Sequence, residues 1–179
     1  MKILIADDHP VFLSGLKNLI QKKTDFEVCG EAQNGREAVD QAQHLKPNII
    51  IMDINMPGLN GIEATKEILA YSEESKILAL SIHSDKHFVQ EMLNAGAAGY
   101  LLKEDAPDQI LEALQIINDG QMYLSPAVTR TALMKDEMVK KLEDVNVLLT
   151  KLYRPQLPSD NVERKGIIQH LEFNKQKPL

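Results

Sequence analysis

The 179-residue sequence has one cysteine, no tryptophan and only 4% aromatic residues. A single cysteine, Cys29, excludes a disulfide scaffold and is typical of a protein from a reducing compartment. We interpret it as a small buried residue of a strand. No apolar run approaches the roughly 18 residues of a membrane span, so we expect no membrane partner. The first apolar run, residues 3–6, is too short for a signal peptide and is followed by acids, so we predict a cytoplasmic protein.

The sequence also lacks an excess of basic residues, because its formal net charge is −6. That charge does not favour a polyanionic partner for the whole chain. Residues 1–124 contain 19 Asp and Glu against 10 Lys and Arg, whereas residues 125–179 contain 7 against 10. Apolar residues make up 44% and charged residues 26%, which is a globular balance. The composition therefore predicts an acidic globular region followed by a mildly basic tail.

Short apolar segments alternate with amphipathic segments through residues 1–124. The apolar segments, which we predict to be strands, are residues 2–6, 26–32, 48–52, 76–81 and 99–102. The segments that follow them have apolar residues at helical spacing, and Pro10 and Pro107 are favourable first residues of a helix. This alternation predicts an α/β fold with a doubly wound, five-stranded parallel sheet and helices on both faces.

Acidic, hydroxyl and basic residues stand where these predicted strands end. They are Asp7 and Asp8, Asp53, Ser81 and Lys103. Because the C-terminal ends of parallel strands meet at one edge of a sheet, we expect these side chains to share one pocket. Each residue alone is more often a helix cap or a solvated surface residue. Their joint placement favours a functional site.

Three carboxylates in one pocket repel one another unless a cation lies among them. Magnesium prefers oxygen ligands and often binds one or two carboxylates together with a substrate phosphate. We predict that Asp8, Asp53 and the backbone carbonyl of Asn55 bind Mg²⁺ directly and that Asp7 acts through a water molecule. His9 and His83 lack the spacing of metal ligands, and we interpret both as loop residues.

Asp53 is the predicted nucleophile, because it ends the most continuously apolar strand and aspartates form covalent phosphoryl intermediates. Lys103 and the metal ion would neutralise charge on the transferred group. Ser81 would donate a hydrogen bond to a phosphoryl oxygen and draw the following loop inward. The side chain of Tyr100, three residues before Lys103, would then change position.

Four segments of this sequence resemble the receiver domain of two-component response regulators. They are ILIADDHP at 3–10, IIIMDINMPGLNG at 49–61, LALS at 78–81 and AGAAGYLLK at 95–103. The DDHP form, and YLSP at 123–126, are similar to the NarL/FixJ (LuxR-type) subfamily. The resemblance covers about residues 1–124 and implies the flavodoxin-like fold of receiver domains.

The resemblance also implies a mechanism and partners. A sensor histidine kinase would phosphorylate Asp53, with Mg²⁺ as cofactor. Asp7 and Asp8 would be the acid pair, Ser81 and Tyr100 the switch residues, and Lys103 the cation that contacts the phosphoryl group. The face made by the fourth helix, fifth strand and fifth helix would signal and could hold a homodimer. Such a protein is ancestrally a regulator of transcription and is not a turnover enzyme, although it can lose the phosphoryl group by autodephosphorylation.

Residues 125–152 are predicted to form an amphipathic linker helix. Its apolar stripe consists of Met134, Met138, Leu142, Val145, Leu149 and Leu152. The stripe would pack on its own domain, or residues 126–152 would form a short dimerising coiled coil. Residues 153–179 contain Pro155 and Pro158 and are interpreted as a poorly ordered, degenerate or truncated output segment.

The subfamily usually continues with a helix-turn-helix domain, which is not recognisable here. Leu149 and Thr150 match its expected start, but 29 residues remain after Thr150, about half of what such a domain needs. DNA binding by this chain is therefore uncertain. The tail is either a divergent or shortened output segment or the product of a frameshift near codon 151.

Other functions fit parts of the same pattern. The chain would be a stand-alone receiver or dimerisation module without DNA binding, or an aspartyl-phosphate phosphotransferase or phosphatase. Dehalogenase-type phosphatases place a second acid two residues after the nucleophile, where this chain has Asn55. A flavodoxin-like FMN carrier is disfavoured, because Asp7 and Asp8 would repel a phosphate in the absence of a metal.

Overall fold

A computed structural model describes residues 1–72 and 74–130 of the chain. The elements are β1 (Lys2–Ala6), α1 (Pro10–Lys23), β2 (Glu27–Ala32), α2 (Gly35–Leu45), β3 (Ile49–Asp53), α3 (Gly61–Leu69), β4 (Lys76–Ser81), α4 (Lys86–Asn94), β5 (Gly99–Leu102), α5 (Ala106–Asn118) and β6 (Tyr123–Leu124). Residues 126–130 are also helical, at the predicted start of the linker helix. The rest of that predicted helix and the segment 153–179 lie outside the described residues. No helix in the described ranges is long and apolar enough to cross a membrane.

The strands form one parallel sheet in the order β2-β1-β3-β4-β5-β6. This arrangement confirms the predicted doubly wound α/β fold, since the strand order reverses at β1 and β3. The predicted number of five strands was wrong. Tyr123 and Leu124 pair with Gly99 and Tyr100 and add a sixth, edge strand. Two residues are too few to show the alternation by which a strand is recognised in sequence.

The central strand β3 is buried along its whole length, which explains its continuous apolar sequence. Because side chains alternate across a strand, Ile50 and Met52 belong to the core that α2, α3 and α4 cover. Ile49 and Ile51 belong to the core on the other face, against α1 and α5. Each such side chain stabilises the fold by about 1.5–3 kcal/mol. The two cores hold β3 in the centre of the sheet and so place Asp53 at the middle of its C-terminal edge.

A tight loop follows β3 and returns the chain to the end of that strand. The backbone N–H of Gly61 donates to the carbonyl of Ile54 at 2.9 Å. A Cβ atom at Gly61 would lie 2.0 Å from the carbonyl oxygen of Asp53. The Asn60 side chain accepts from the Glu63 N–H and caps α3. Glycine is therefore required at position 61 because the helix begins in contact with the strand end.

The chain beyond residue 124 also packs on this domain. The N–H of Ser125 donates to the carbonyl of Tyr100 at 3.0 Å, and Val128 is 1% exposed. Val128 belongs to the same apolar core as Tyr100 and Met92. The first turn of the helix that starts at residue 126 therefore lies against β5 and α4.

Candidate functional site

The C-terminal ends of β1, β3 and β5 bring two acids and a lysine into contact. The Lys103 ammonium lies 2.7 Å from Oδ2 of Asp7 and 2.7 Å from Oδ2 of Asp53. It donates a hydrogen bond to the Asp53 oxygen. Residues 46 or more positions apart in the chain thus meet because parallel strands end at one edge of the sheet.

These three groups are removed from water, and burial changes their acidity. Asp7 is 0% and Asp53 3% exposed. Burial raises the pKa of Asp53, and the negative charge of Asp7 adds to this, so that together they outweigh the Lys103 hydrogen bond. Burial alone would lower the pKa of Lys103, but its short contacts with Asp53 and Asp7 and their negative charges raise it overall. Lys103 therefore remains an ammonium beside a carboxylate whose negative charge is poorly solvated.

The outer half of the site consists of Asp8 and His9. The side chain of Asp8 is 32% exposed, and its Oδ1 lies 2.7 Å from Nδ1 of His9. The same nitrogen lies 3.1 Å from Oδ1 of Asp7, and the His9 backbone N–H donates to that oxygen at 2.9 Å. His9 is the N-cap residue of α1. Its interpretation as a plain loop residue missed these contacts, although its place next to two acids was a signal for them.

The donor set fits a divalent cation. Ligand atoms of Asp7, Asp8, His9 and Asp53 all lie within 4.8 Å of one another. Oδ2 of Asp7 and Oδ1 of Asp8 are buried and accept no well-aligned hydrogen bond from the described residues, although Lys103 and His9 nitrogens lie 2.7 Å away. Three carboxylates and one ammonium leave an excess of negative charge, which a metal ion would neutralise.

The loop after β4 connects the site to Tyr100. The Ser81 hydroxyl, which is buried, accepts from the His83 N–H at 3.0 Å. The Tyr100 hydroxyl donates to the His83 carbonyl at 2.7 Å, and burial raises the pKa of this tyrosine. The Asn55 amide contacts Nε2 of His83 at 2.9 Å, and the His83 ring stacks on Phe88 of α4. His83, interpreted from sequence as an ordinary loop residue, thus links the β3 loop to α4 and β5.

An apolar groove of about 720 Å³ adjoins the site. Its rim includes Val11, Ile82 and Pro107, and Asp53 and Lys103 also line it. Val11 is 87% and Ile82 72% exposed. Large exposed apolar side chains grouped beside reactive groups are typical of a surface that meets another protein.

Comparison with known proteins identifies the family. Residues 3–115 match the family model of the response regulator receiver domain. The transcriptional regulatory protein DegU of Brevibacillus brevis is 40% identical over 129 residues, which are 72% of this chain and 55% of that protein. The nitrate/nitrite response regulator protein NarL of Escherichia coli K12 is 36% identical over 171 residues, 91% of this chain and 79% of NarL. The chain therefore spans about half the length of DegU and more of NarL.

Solved structures agree with this result. A LuxR-family two-component response regulator from Aurantimonas has a TM-score of 0.73 and 30% identity, with 75% of this chain and 96% of that chain covered. The isolated receiver domain of RcsB from Salmonella enterica serovar Typhimurium, determined with BeF₃⁻, has a TM-score of 0.68 and 26% identity, with 73% and 96% covered. The chain belongs to the two-component response regulators of the NarL/LuxR type, and residues 3–115 are its receiver domain.

Proposed function

We propose that Asp53 accepts a phosphoryl group from a sensor histidine kinase, and that this transfer switches the domain. The observation that carries the proposal is the position of Asp53. It ends the central strand, its carboxylate is 2.7 Å from the Lys103 ammonium, and the acid cluster of Asp7 and Asp8 adjoins it. A nucleophile, a cation and oxygens able to bind a metal ion would then surround one reacting atom.

The phosphoryl transfer is a displacement at phosphorus. A carboxylate oxygen of Asp53 attacks phosphorus, a P–O bond forms, and the bond from phosphorus to the donor nitrogen breaks with its electron pair leaving on the imidazole. Lys103 keeps its proton and stabilises negative charge on the transferred oxygens. Magnesium held by Asp8, Asp53 and the Asn55 carbonyl, with Asp7 acting through water, would neutralise further charge on those oxygens.

The contacts of the β4–α4 loop support roles for Ser81 and Tyr100 in switching. Ser81 now accepts a hydrogen bond from the His83 N–H. A Ser81 hydroxyl that turned to donate to a phosphoryl oxygen on Asp53 would change the position of His83. The His83 carbonyl holds the Tyr100 hydroxyl, so the change would reach β5 and α4.

The apolar groove beside Asp53 supports a protein as phosphodonor. Val11 and Ile82 would contact the kinase, and Asp53 would remain accessible through the same groove. A small acyl phosphate would react without these contacts, because it only needs to reach the carboxylate. We therefore place the kinase on the groove that Val11, Ile82 and Pro107 line.

The wider role of the chain is part of the same proposal. It would act in the cytoplasm as a signalling protein with slow autodephosphorylation and without other turnover. The receiver domain would occupy residues 1–124, and a homodimer would use the face of α4, β5 and α5 or the 126–152 helix. The match to NarL is longer than residues 1–124, which supports descent of the tail from an output region. No helix-turn-helix is recognisable in the sequence, so DNA binding is not part of the proposed role.

Phosphorylation with acetyl phosphate and Mg²⁺ tests the assignment of Asp53. Intact-mass spectrometry should show one added phosphoryl group on the wild-type protein and none on Asp53→Asn. Asp119→Asn, at an exposed acid after α5, is the matched control and should be labelled like wild type. Wild-type labelling of Asp53→Asn would show that another residue is the acceptor.

A further inference from the structure

We propose that His9 is a further metal ligand of this site and that it gives the site a preference for first-row transition-metal dications over Mg²⁺. The proposal rests on the proposed function, because it concerns the same metal site. It assigns a nitrogen ligand to a site that the acids alone would make purely oxygen-based. The ligand is Nδ1 of His9.

The geometry of His9 already matches that of a ligand. Its Nδ1 lies 2.7 Å from Oδ1 of Asp8 and 3.1 Å from Oδ1 of Asp7. Neighbouring ligands of an octahedral ion, each about 2.1 Å from the metal, lie about 3 Å apart. One ligand atom from each of Asp7, Asp8, His9 and Asp53 falls within a span of 4.8 Å, comparable to the width of one coordination shell. The imidazole nitrogen therefore needs little movement to join the carboxylates around one ion.

The charge balance of the buried oxygens supports a second cation beside Lys103. Asp7 is fully buried, and its Oδ2 lies 2.7 Å from the Lys103 ammonium but accepts no well-aligned hydrogen bond from the described residues. Oδ1 of Asp8 also accepts no well-aligned hydrogen bond from them. Among the described residues, the Lys103 ammonium is shared between Asp7 and Asp53 and forms no ion pair with Asp8. One ammonium compensates the charge of three carboxylates only in part, and buried charge without compensation is costly.

The nitrogen ligand decides which ion is preferred. Magnesium takes oxygen ligands, whereas imidazole suits transition metals, whose affinities rise along the series from Mn²⁺ to Cu²⁺. A metal ion would bind to the lone pair of Nδ1. The His9 side chain is 68% exposed, so Nε2 can keep its hydrogen and face water. The site would then bind Mg²⁺ through its carboxylates and Co²⁺ or Mn²⁺ through the carboxylates and His9.

Calorimetric titration of the full chain with Mg²⁺ and with Co²⁺ tests this preference. In His9→Ala the affinity for Co²⁺ should fall by about tenfold or more, as expected for loss of a ligand-shell contact, while the affinity for Mg²⁺ changes by less than about threefold. His87→Ala removes an exposed histidine from α4 and should leave both affinities unchanged. Circular dichroism should show that all variants are folded, because the His9 N–H bond to Asp7 is made by the backbone.

Spin-echo spectroscopy of bound Mn²⁺ identifies the ligand directly. Wild type and His87→Ala should show the ¹⁴N coupling of a bound imidazole, and His9→Ala should not. A wild-type signal without ¹⁴N coupling, or equal losses of Mg²⁺ and Co²⁺ affinity in His9→Ala, would overturn the proposal. If Asp53 were nevertheless phosphorylated by acetyl phosphate and Mg²⁺, the proposed function would still hold. Failure of Asp8→Asn to weaken either metal would instead contradict the metal site itself.

Discussion

The N-terminal and C-terminal ends of the parallel strands form two opposite edges of the sheet. Both edges contain polar and charged side chains, but these side chains have different roles. At the edge where the strands begin, the Ser75 hydroxyl donates to the carbonyl of Pro47 at 2.8 Å. The Lys76 ammonium donates to the last carbonyls of α5, those of Ile117 and Asn118, at 2.9 and 3.0 Å. At the edge where the strands end, Lys103 instead meets two buried carboxylates.

The difference shows what separates a structural polar group from a reactive one. Lys76 completes the hydrogen bonds of a helix end, where the partial negative charge of the helix dipole favours a cation. Its partners are neutral and are satisfied. The partners of Lys103 are full charges withdrawn from water, so removal of the lysine leaves them without compensation. The C-terminal edge therefore carries an unfavourable electrostatic free energy. Binding of a metal ion would lower it, and it favours reaction of the Asp53 carboxylate with a phosphoryl group.

Replacement of each lysine by methionine gives the largest expected contrast. Lys103→Met should lower the free energy of unfolding by about 3–5 kcal/mol at neutral pH, since it leaves Asp7 and Asp53 buried without a cation. Lys76→Met should lower it by about 1 kcal/mol, the net value of ordinary hydrogen bonds. Urea denaturation in the presence of a chelator measures both.

Addition of Mg²⁺ gives a second test of the difference between the two lysine variants. Added Mg²⁺ should restore part of the stability of Lys103→Met and none of that of Lys76→Met. Only the first substitution leaves buried carboxylates without a positive charge. Equal losses for the two variants, with no effect of Mg²⁺ on either, would mean that the two edges do not differ in the way described.

The stability of the C-terminal edge should also be sensitive to a substitution that crowds its backbone. Gly61→Ala places a Cβ 2.0 Å from the carbonyl oxygen of Asp53 and forces the strand end or α3 to move. We expect a loss of about 2–3 kcal/mol in the free energy of unfolding, typical of overpacking. Labelling of Asp53 by acetyl phosphate should also slow, because the nucleophile shifts relative to Lys103.

Gly15→Ala is the matched control for this glycine. Gly15 lies inside α1, and a Cβ there would meet nothing within 4 Å. Alanine should raise the free energy of unfolding by about 0.5–1 kcal/mol through its higher helix propensity. A loss of stability in Gly15→Ala, or none in Gly61→Ala, would count against close packing as the cause.

The fold and the inner half of the site follow from patterns that sequence displays directly. Continuous apolar runs such as residues 49–52 indicate buried parallel strands, and such strands gather their C-terminal residues at one edge. The meeting of Asp7, Asp53 and Lys103 follows from that topology alone. The sixth strand does not, because two residues carry no periodicity.

The contacts of His9 and His83 are not predicted from the sequence, although the place of His9 beside two acids was a signal for its own. Each depends on the side-chain direction within a loop, which no repeat or spacing encodes. His83 reaches Asn55 only because the loops after β3 and β4 lie side by side. Spacing rules detect histidines that bind a metal together from one helix or turn, and they do not detect His9, whose partners are the carboxylates of its neighbours Asp7 and Asp8.

The smallest expected effect concerns the charge of Asp53 itself. Its pKa in the folded protein is raised, chiefly by burial, so folding favours the protonated carboxyl. The contribution of protonated Asp53 to the stability of the fold is complete at a pH below its pKa in the unfolded chain. That contribution is lost as the pH rises through its pKa in the folded protein. At neutral pH, ionised Asp53 therefore destabilises the fold, and Asp53→Asn should raise the free energy of unfolding by an amount on the order of 1 kcal/mol.

Urea denaturation across pH 4 to 7, with a chelator present, measures this effect. The advantage of Asp53→Asn over wild type should shrink as the pH falls, since wild-type Asp53 becomes neutral like asparagine. Asp119→Asn, at an exposed acid, should change little at any pH. A lower stability of Asp53→Asn at neutral pH would mean that the ion pair with Lys103 outweighs burial. The C-terminal edge would then be stabilised by its charges, as the opposite edge is by its hydrogen bonds.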